Sequence, residues 1–459
     1  MLACFTAQTE NAIPILILKL SDYPQWLNAQ NSFTQNWLGS MQFRLEPGST
    51  TYIPDASGKI ASVIFCVLEM KNFWGVGSLP ISLADGVYRF EGEGIDYARL
   101  ALAWGLGSYQ FSRYKKPTRK PSCLLLPAAA SAEQINHLVE SIYLVRDLIN
   151  TPTDDMGPTQ LAEAVVNLAA QHGATVTQII GEDLLKQNYA SIYTVGRASD
   201  DAPRLLDLRW GNPSHRRVTL VGKGVCFDTG GLDLKPASAM LIMRKDMGGA
   251  AHTLGLARLI MLANLPIHLR VLIPAVENSV GGNAYRPGDI IKSRKGITIE
   301  IGNTDAEGRV VLADALTEAV SEKPDLIIDI ATLTGAARVA LGTECPVFFC
   351  NQDKLAADLA QHAEMEADPI WRLPLFAAYR ESLNTPYADI NNNSSDPYGG
   401  AIAAGLFLKE FVPDDIPWVH FDLMAWNLKS RPGKPIGGEA MALRALFSYI
   451  KAEFGQKLV

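Results

Sequence analysis

The stretch Asn303-Thr304-Asp305-Ala306-Glu307-Gly308-Arg309 sets an amide, two carboxylates and a guanidinium at alternate positions. In an extended segment, residues i, i+2 and i+4 face one side, so the four groups would converge on a single space. Two carboxylates cannot share a buried space as anions unless a cation or a proton compensates them. A polyvalent metal ion meets that need, and the stretch reads as half of a metal site. A solvated loop is the plainer alternative, because Asp, Glu and Arg are mostly surface residues. The flanks weigh against it. Ile297–Ile301 alternates as a strand does, and Val310–Val320 has the apolar spacing of a helix. A strand-to-helix junction is the usual place for an active site in an α/β protein.

If Asp305 and Glu307 bind metal, partners are expected at other strand ends. Val218–Gly222 reads as a buried strand running into Lys223-Gly224-Val225-Cys226-Phe227-Asp228-Thr229-Gly230-Gly231, a glycine-rich turn that carries Lys223 and Asp228. The turn has neither the Walker A spacing nor a GxGxxG, so it is no phosphate cradle. Lys235 and Asp246 follow. A lone lysine is usually a surface residue, although among loop carboxylates Lys235 could neutralise charge that develops in a reaction. Asp246 directly precedes a helical pattern, and its simplest role there is that of a cap or dipole partner.

The elements that must position these groups belong to a larger α/β unit beyond Pro158. Its helices are expected at about 158–172 and 248–263, alternating with apolar strands at Val218–Gly222, Leu269–Val276 and Leu326–Ile330. Such alternation predicts a mixed sheet covered by helices. The organisation expected is α/β throughout: a small N-terminal α/β domain over 1–130, a connecting helix over 131–152, and a larger C-terminal α/β/α catalytic domain with a central mixed sheet over 153–459. In the small domain, strands are predicted at Ile13–Leu18, Ala61–Leu68 and Cys123–Leu126, with a helix at Tyr97–Leu106. Ser131 and Gln134 fit a capping box that opens the connecting helix. Asn391-Asn392-Asn393-Ser394-Ser395 reads as a short polar loop.

At 459 residues the chain has room for roughly two to four domains. A net charge of −7 and a pI near 5.6 argue against a generic nucleic-acid binder. The cluster Arg113, Lys115, Lys116, Arg119 and Lys120 is read as a solvated basic loop. Six cysteines lie scattered without a CxxC pair, so neither a disulfide framework nor a thiolate zinc site is expected. No apolar run approaches the ~20 residues that span a bilayer, and Ile13–Leu20 is too short for a signal-peptide core. A cytoplasmic location without membrane contact is therefore expected. Seven dispersed histidines form no HxH or HxxxH pair, which leaves a metal site to carboxylates and to hard or borderline ions.

Four segments, VGKGVCFDTGG, KPASAMLIMRKDMGGAA, PAVENSVGGNAYRPGDII and NTDAEGRVVLADAL, strongly resemble the leucine (cytosol) aminopeptidases, two-metal exopeptidases of the cytoplasm. The resemblance covers the region from about Asn150 to Leu446 and is weaker before it. It implies Lys223, Asp228, Asp246, Asp305 and Glu307 as ligands of two divalent ions, zinc or manganese, with magnesium or cobalt as alternatives. Four carboxylates then balance two divalent ions, and Lys223 must bind as a neutral amine. Lys235 is expected to stabilise an oxyanion and Arg309 to anchor a bicarbonate general base. The nucleophile would be a hydroxide shared by the two ions. Met243, Asn303, Thr332, Leu333 and Gly335 match positions around the substrate, so peptides with an apolar first residue are expected. Met424 and Trp426 stand where better-known members carry smaller residues, which puts leucine preference in doubt. The resemblance also implies a homohexamer. A DNA-binding or scaffolding role, added to catalysis or replacing it, is the alternative in a different class.

Overall fold

The computed structural model describes residues 1–8, 11–71, 73–126 and 130–456; the Ser131 side chain, the expected cap of the connecting helix, lies outside what is described. The chain forms two compact units, Met1–Tyr143 with Lys429–Ile436, and Leu144–Leu428 with Gly437–Val459. The division falls inside one helix, Ala130–Asn150.

The first unit carries a six-stranded sheet in the order Phe5–Thr6, Cys123–Leu125, Val87–Glu91, Ile13–Lys19, Ile60–Val67, Thr50–Pro54. Only its last pair is antiparallel. The helix Tyr97–Gly107 begins where the Asp96 side chain accepts from the Arg99 amide at 3.1 Å. Its Trp104 is fully buried and packs on Tyr88 and Phe90. No helix among the described residues is long and apolar enough to cross a membrane.

The second unit is built on nine strands: β1 (Thr175–Ile180), β2 (Arg204–Gly211), β3 (Arg216–Gly222), β4 (Gly224–Asp228), β5 (Ile267–Asn278), β6 (Leu326–Ala331), β7 (Val347–Cys350), β8 (Trp371–Arg372) and β9 (Trp418–Asp422). The order across the sheet is β8-β7-β9-β6-β3-β5-β2-β1, with β4 pairing the end of β5. The central strands β9, β6, β3 and β5 run parallel, while β7, β2 and β1 pair antiparallel. The mixed sheet expected from the alternating pattern is thus present. All six residues of β6 are buried, as in a parallel strand covered on both faces.

Three helices matter most for the site. Helix α1 (Pro158–His172) opens on proline and closes on Gly173 in the left-handed region, with an apolar stripe at Leu161, Ala162, Val165, Leu168 and Ala169. Helix α2 (Gly248–Leu262) is buried along almost its whole length. A Cβ on its Gly249 would lie 2.0 Å from the Ile330 carbonyl oxygen and 2.8 Å from the Lys223 amide nitrogen. The helix start therefore rests backbone to backbone on the strand ends, an approach only glycine permits. Helix α3 (Glu307–Val320) packs its apolar side into the large core that includes Val221, Leu272 and Trp418.

Candidate metal centre

The carboxyl ends of the parallel strands bring the charged residues together, the usual place for a site in an open α/β sheet. Lys223 is the first residue beyond β3, and Asp228 is the last of β4. Asp228 is held from one side: its Oδ1 accepts from the Gly230 amide and from Asn278 Nδ2, each at 2.8 Å. Its Oδ2 lies 2.8 Å from Lys235 Nζ, and the same ammonium contacts Asp305 Oδ1. Lys235 is therefore no surface lysine. It bridges two carboxylates, one at the end of β4 and one in the turn before α3.

Asp246 lies in a 3-10 turn, Met243–Met247, that leads into α2. The cap position belongs to Met247, and no side chain caps the helix. The capping role first suggested for Asp246 is accordingly not what the structure has. Instead Asp246 Oδ2 sits 2.7 Å from Lys223 Nζ, and Oδ1 accepts from Thr332 Oγ1 at 2.7 Å. Lys223 Nζ also lies 2.8 Å from Glu307 Oε1. Carboxylate oxygens of Asp228, Asp305 and Glu307 all fall within 4.8 Å of one another.

The extended ribbon expected over 303–309 is not formed. Thr304–Ala306 is a 3-10 turn, and α3 already begins at Glu307, three residues earlier than its apolar spacing indicated. The cause is local: the Asn303 side chain accepts from the Asp305 amide at 2.7 Å and turns the chain. Asp305 and Glu307 still reach one space, through a turn and a helix start. The strand-to-helix junction itself is present, with Thr298–Glu300 upstream.

Burial and like charge set the electrostatics. Burial, then the nearby Asp228, raise Glu307 to about 8 and Asp305 to about 6. Burial also acts against ionised Asp246, but the Lys223 ammonium overrides it and holds the carboxyl at about 2. Burial likewise opposes charge on Lys223, yet Asp246, Glu307 and Asp228 keep its pKa above that of a free lysine. Glu307 Oε1 and Asp246 Oδ2 are buried, and the Lys223 ammonium is the partner of both. Four carboxylate groups around two cationic nitrogens form a donor set suited to hard or borderline divalent ions. Lys245 was not singled out in the sequence. It is fully buried, 3.7 Å from Asp246 Oδ1, and burial lowers it to about 8.

Arg309 points elsewhere. Its Nη1 donates to the Asn392 carbonyl at 2.8 Å, while its buried Nε has no hydrogen-bond partner. Burial lowers it to about 10, against the attraction of Glu307 and Asp422. Of the residues matched to a substrate pocket, Met243 shares the turn of Asp246, and Thr332 is tied to Asp246 by its hydroxyl. Leu333 and Thr334 present their amides to Asp422 Oδ1 at 2.9 and 3.1 Å, and Gly335 opens the next helix. Met424 and Trp426 are buried, with the Arg244 guanidinium 5.2 Å over the Trp426 ring.

Residues overlooked in the sequence include Asn278, Asp422 and Asn392, all buried amides or carboxylates that hold the loops of the site. The polar-loop reading of 391–395 needs correction at its start. Ile390–Asn391 is a strand, paired with Thr298–Glu300, and Asn392 is fully buried. Composition alone could not distinguish it from its exposed neighbours.

Buried carboxylates and lysines at the ends of parallel strands define the class, an α/β enzyme with an acidic centre of the kind that serves metal-assisted hydrolysis. The family comparison narrows it. Residues 143–447 match the catalytic domain of the cytosol aminopeptidase family, and residues 13–127 match the M17 aminopeptidase N-terminal domain. The chain belongs to this family and is a metal-dependent aminopeptidase, a hydrolase. It is similar to the crystal structure of cytosol aminopeptidase from Coxiella burnetii, with 50% identity and a TM-score of 0.96 over 98% of this chain and 99% of that one. Peptidase B of Pectobacterium carotovorum subsp. carotovorum is 41% identical over 74% of this chain and 81% of its own. The bottromycin maturation enzyme BotP, solved in complex with Mn, shares 31% identity at a TM-score of 0.84 over 96% of this chain and 99% of its own.

Proposed function

We propose that the chain releases N-terminal, apolar residues from peptides, with Lys223, Asp228, Asp246, Asp305 and Glu307 holding two divalent ions. The observation that carries this reading is the convergence of the Asp228, Asp305 and Glu307 carboxylates within 4.8 Å, with lysine ammonium groups between them and Asp246. Bound ions would supply Lewis acidity toward the scissile carbonyl and a water of lowered pKa as nucleophile. Lys223 has to give up the proton that Asp246 and Glu307 favour before it can serve as a ligand. Lys235, already between Asp228 and Asp305, supplies the positive charge for a developing oxyanion. The unpartnered Nε of Arg309 is a buried donor suited to a small anion such as bicarbonate, the proposed general base.

Met243 lies in the turn of Asp246, and Leu333 follows Thr332, whose hydroxyl bonds Asp246; these apolar chain neighbours of the acidic centre support an apolar first residue. Manganese or zinc is the proposed ion, and the solved relative with Mn supports manganese. A cytoplasmic homohexamer is proposed from the family's character. The test is a panel of aminoacyl anilides assayed with zinc, manganese, magnesium and cobalt, in the parent and in Glu307→Ala. Metal-dependent hydrolysis should favour apolar residues and vanish in the variant. Full activity of Glu307→Ala would sink the ligand assignment.

A further inference from the structure

One buried side chain bonds both ends of the turn that delivers the acidic pair. Asn392 follows the short strand Ile390–Asn391, which pairs in parallel with Thr298–Glu300, and its amide donates to the Glu300 carbonyl at 2.9 Å. Its Oδ1 accepts from the amides of Gly302 and Asn303 at 2.8 and 3.2 Å. Its Nδ2 donates to the carbonyls of Asn303 and Ala306 at 2.8 and 3.3 Å. Two acceptor and two donor positions are thus filled, the full capacity of a carboxamide. The main-chain carbonyl of the same residue receives Arg309 Nη1 at 2.8 Å.

We infer that Asn392 is a positioning residue of the hydrolytic site, which sets Asp305, Glu307 and the Arg309 guanidinium in one mutual register. This rests on the proposed role of Asp305 and Glu307 as ligands. The turn 302–306 lies between a strand and α3. Its middle is anchored at Thr304, whose amide donates to Asp233 Oδ2 at 2.7 Å and whose carbonyl accepts from Asn278 Nδ2 and the Tyr285 hydroxyl at 3.0 and 2.6 Å. The Asn303 side chain holds the inner bend, whereas Asn392 pins both ends of the turn from outside. The chemistry requires an amide. An aspartate could accept from Gly302 and Asn303, but it would turn lone pairs toward the carbonyls of Asn303 and Ala306. A shift of the turn moves Asp305 and the start of α3 together. Movement of Asn392 itself moves the Arg309 anchor.

The test uses the full-length chain stripped of metal and titrated with manganese against a chelating indicator dye, followed by kcat and KM on an aminoacyl anilide. Asn392→Asp and the milder Asn392→Ser are compared with the parent, each normalised to its folded fraction by near-UV circular dichroism. Asn391→Ala serves as a neighbour control, since its side chain bonds only Glu300 and the Asn393 amide. The expected result is manganese affinity lowered by about ten-fold or more in Asn392→Asp, the range seen when residues supporting metal ligands are changed. Its kcat should fall much further than its KM shifts, with Asn392→Ser intermediate and Asn391→Ala close to the parent. Parental affinity and kcat per folded molecule in both Asn392 variants would overturn the inference. Glu307→Ala in the same titration separates the two ideas. If it keeps manganese, the ligand reading fails. If it loses manganese while Asn392→Asp does not, only the role of Asn392 fails.

Discussion

Thr332→Val is the sharpest probe of how the site holds Asp246. The substitution keeps shape and replaces a hydroxyl by a methyl in a buried position. The lost contact is the 2.7 Å hydrogen bond from Thr332 Oγ1 to Asp246 Oδ1, with the 3.1 Å approach to the Asp246 carbonyl as its minor branch. A hydrogen bond to an ionised group contributes about 1.5–3 kcal/mol. Asp246 keeps its 2.7 Å contact with Lys223, so the carboxylate stays charged but gains freedom to rotate. If the bond chiefly orients a ligand, the loss appears in metal binding. At about 1.4 kcal/mol per ten-fold, the affinity should fall by about 10- to 100-fold. The assay is manganese titration of the metal-stripped protein by calorimetry, with thermal unfolding as a check on folding. Thr332→Ser, which retains the hydroxyl, should bind close to the parent. A folded Thr332→Val that binds manganese as tightly as the parent would refute the reasoning.

Two further predictions concern packing and pH. A Cβ on Gly308 would fall 2.6 Å from Lys223 Nζ and 2.7 Å from its Cε, and Lys223 is buried between Asp246 and Glu307. Gly308→Ala should therefore weaken manganese binding by about ten-fold or more and lower the thermal midpoint slightly, because overpacking at about 1–3 kcal/mol outweighs the roughly 1 kcal/mol that alanine gains as the better helix former; unchanged affinity would count against the Lys223 assignment. Away from the acidic cluster, the fully buried His420 sets Nδ1 2.5 Å from Asp329 Oδ1, and Trp418 Nε1 donates to the other oxygen. Burial acts to lower the His420 pKa, but Asp329 and then Asp422 outweigh it and Arg309, leaving it raised. A raised folded pKa means this contribution is complete below about pH 6.5 and fades as pH climbs through the raised value. Asp329→Asn should therefore lower the thermal midpoint most in acid, with the gap to the parent narrowing toward alkaline pH; a gap that widens instead would contradict the sign.

Long periodic elements were legible in the sequence because their burial is written in apolar spacing. The helices expected at 158–172 and 248–263 appear as Pro158–His172 and Gly248–Leu262, and β3, β5 and β6 extend their predicted cores by one to four residues. The charged residues of the site were legible by type and position in the chain. Their partners were not, because contacts such as Thr332 with Asp246 or Asn392 with Gly302 span 86 and 90 residues. An asparagine in a run of asparagines and serines carries no local sign that one member is buried. Asp246 shows the same limit from the other side. Its place before a helix suggested a cap, yet the Lys223 ammonium and Thr332 hydroxyl claim its oxygens.

The failure of the extended-ribbon reading also explains how one short stretch divides its work. On a strand, Glu307 and Arg309 would point the same way. On a helix, residues two apart are separated by roughly 200° around the axis, and both belong to α3. Glu307 therefore faces Lys223, while Arg309 reaches the Asn392 carbonyl. Glu307 is also the first residue of α3, where the helix dipole favours a negative charge. Burial and Asp228 oppose that charge and raise its pKa to about 8. A carboxylate so placed gains most from a cation beside it, and Lys223 fills that place. Of the alternating residues, Asp305 and Glu307 do come into one space, with Asp228 beside them. It was the turn made by Asn303, and secured by Asn392, that decided which way each one faces.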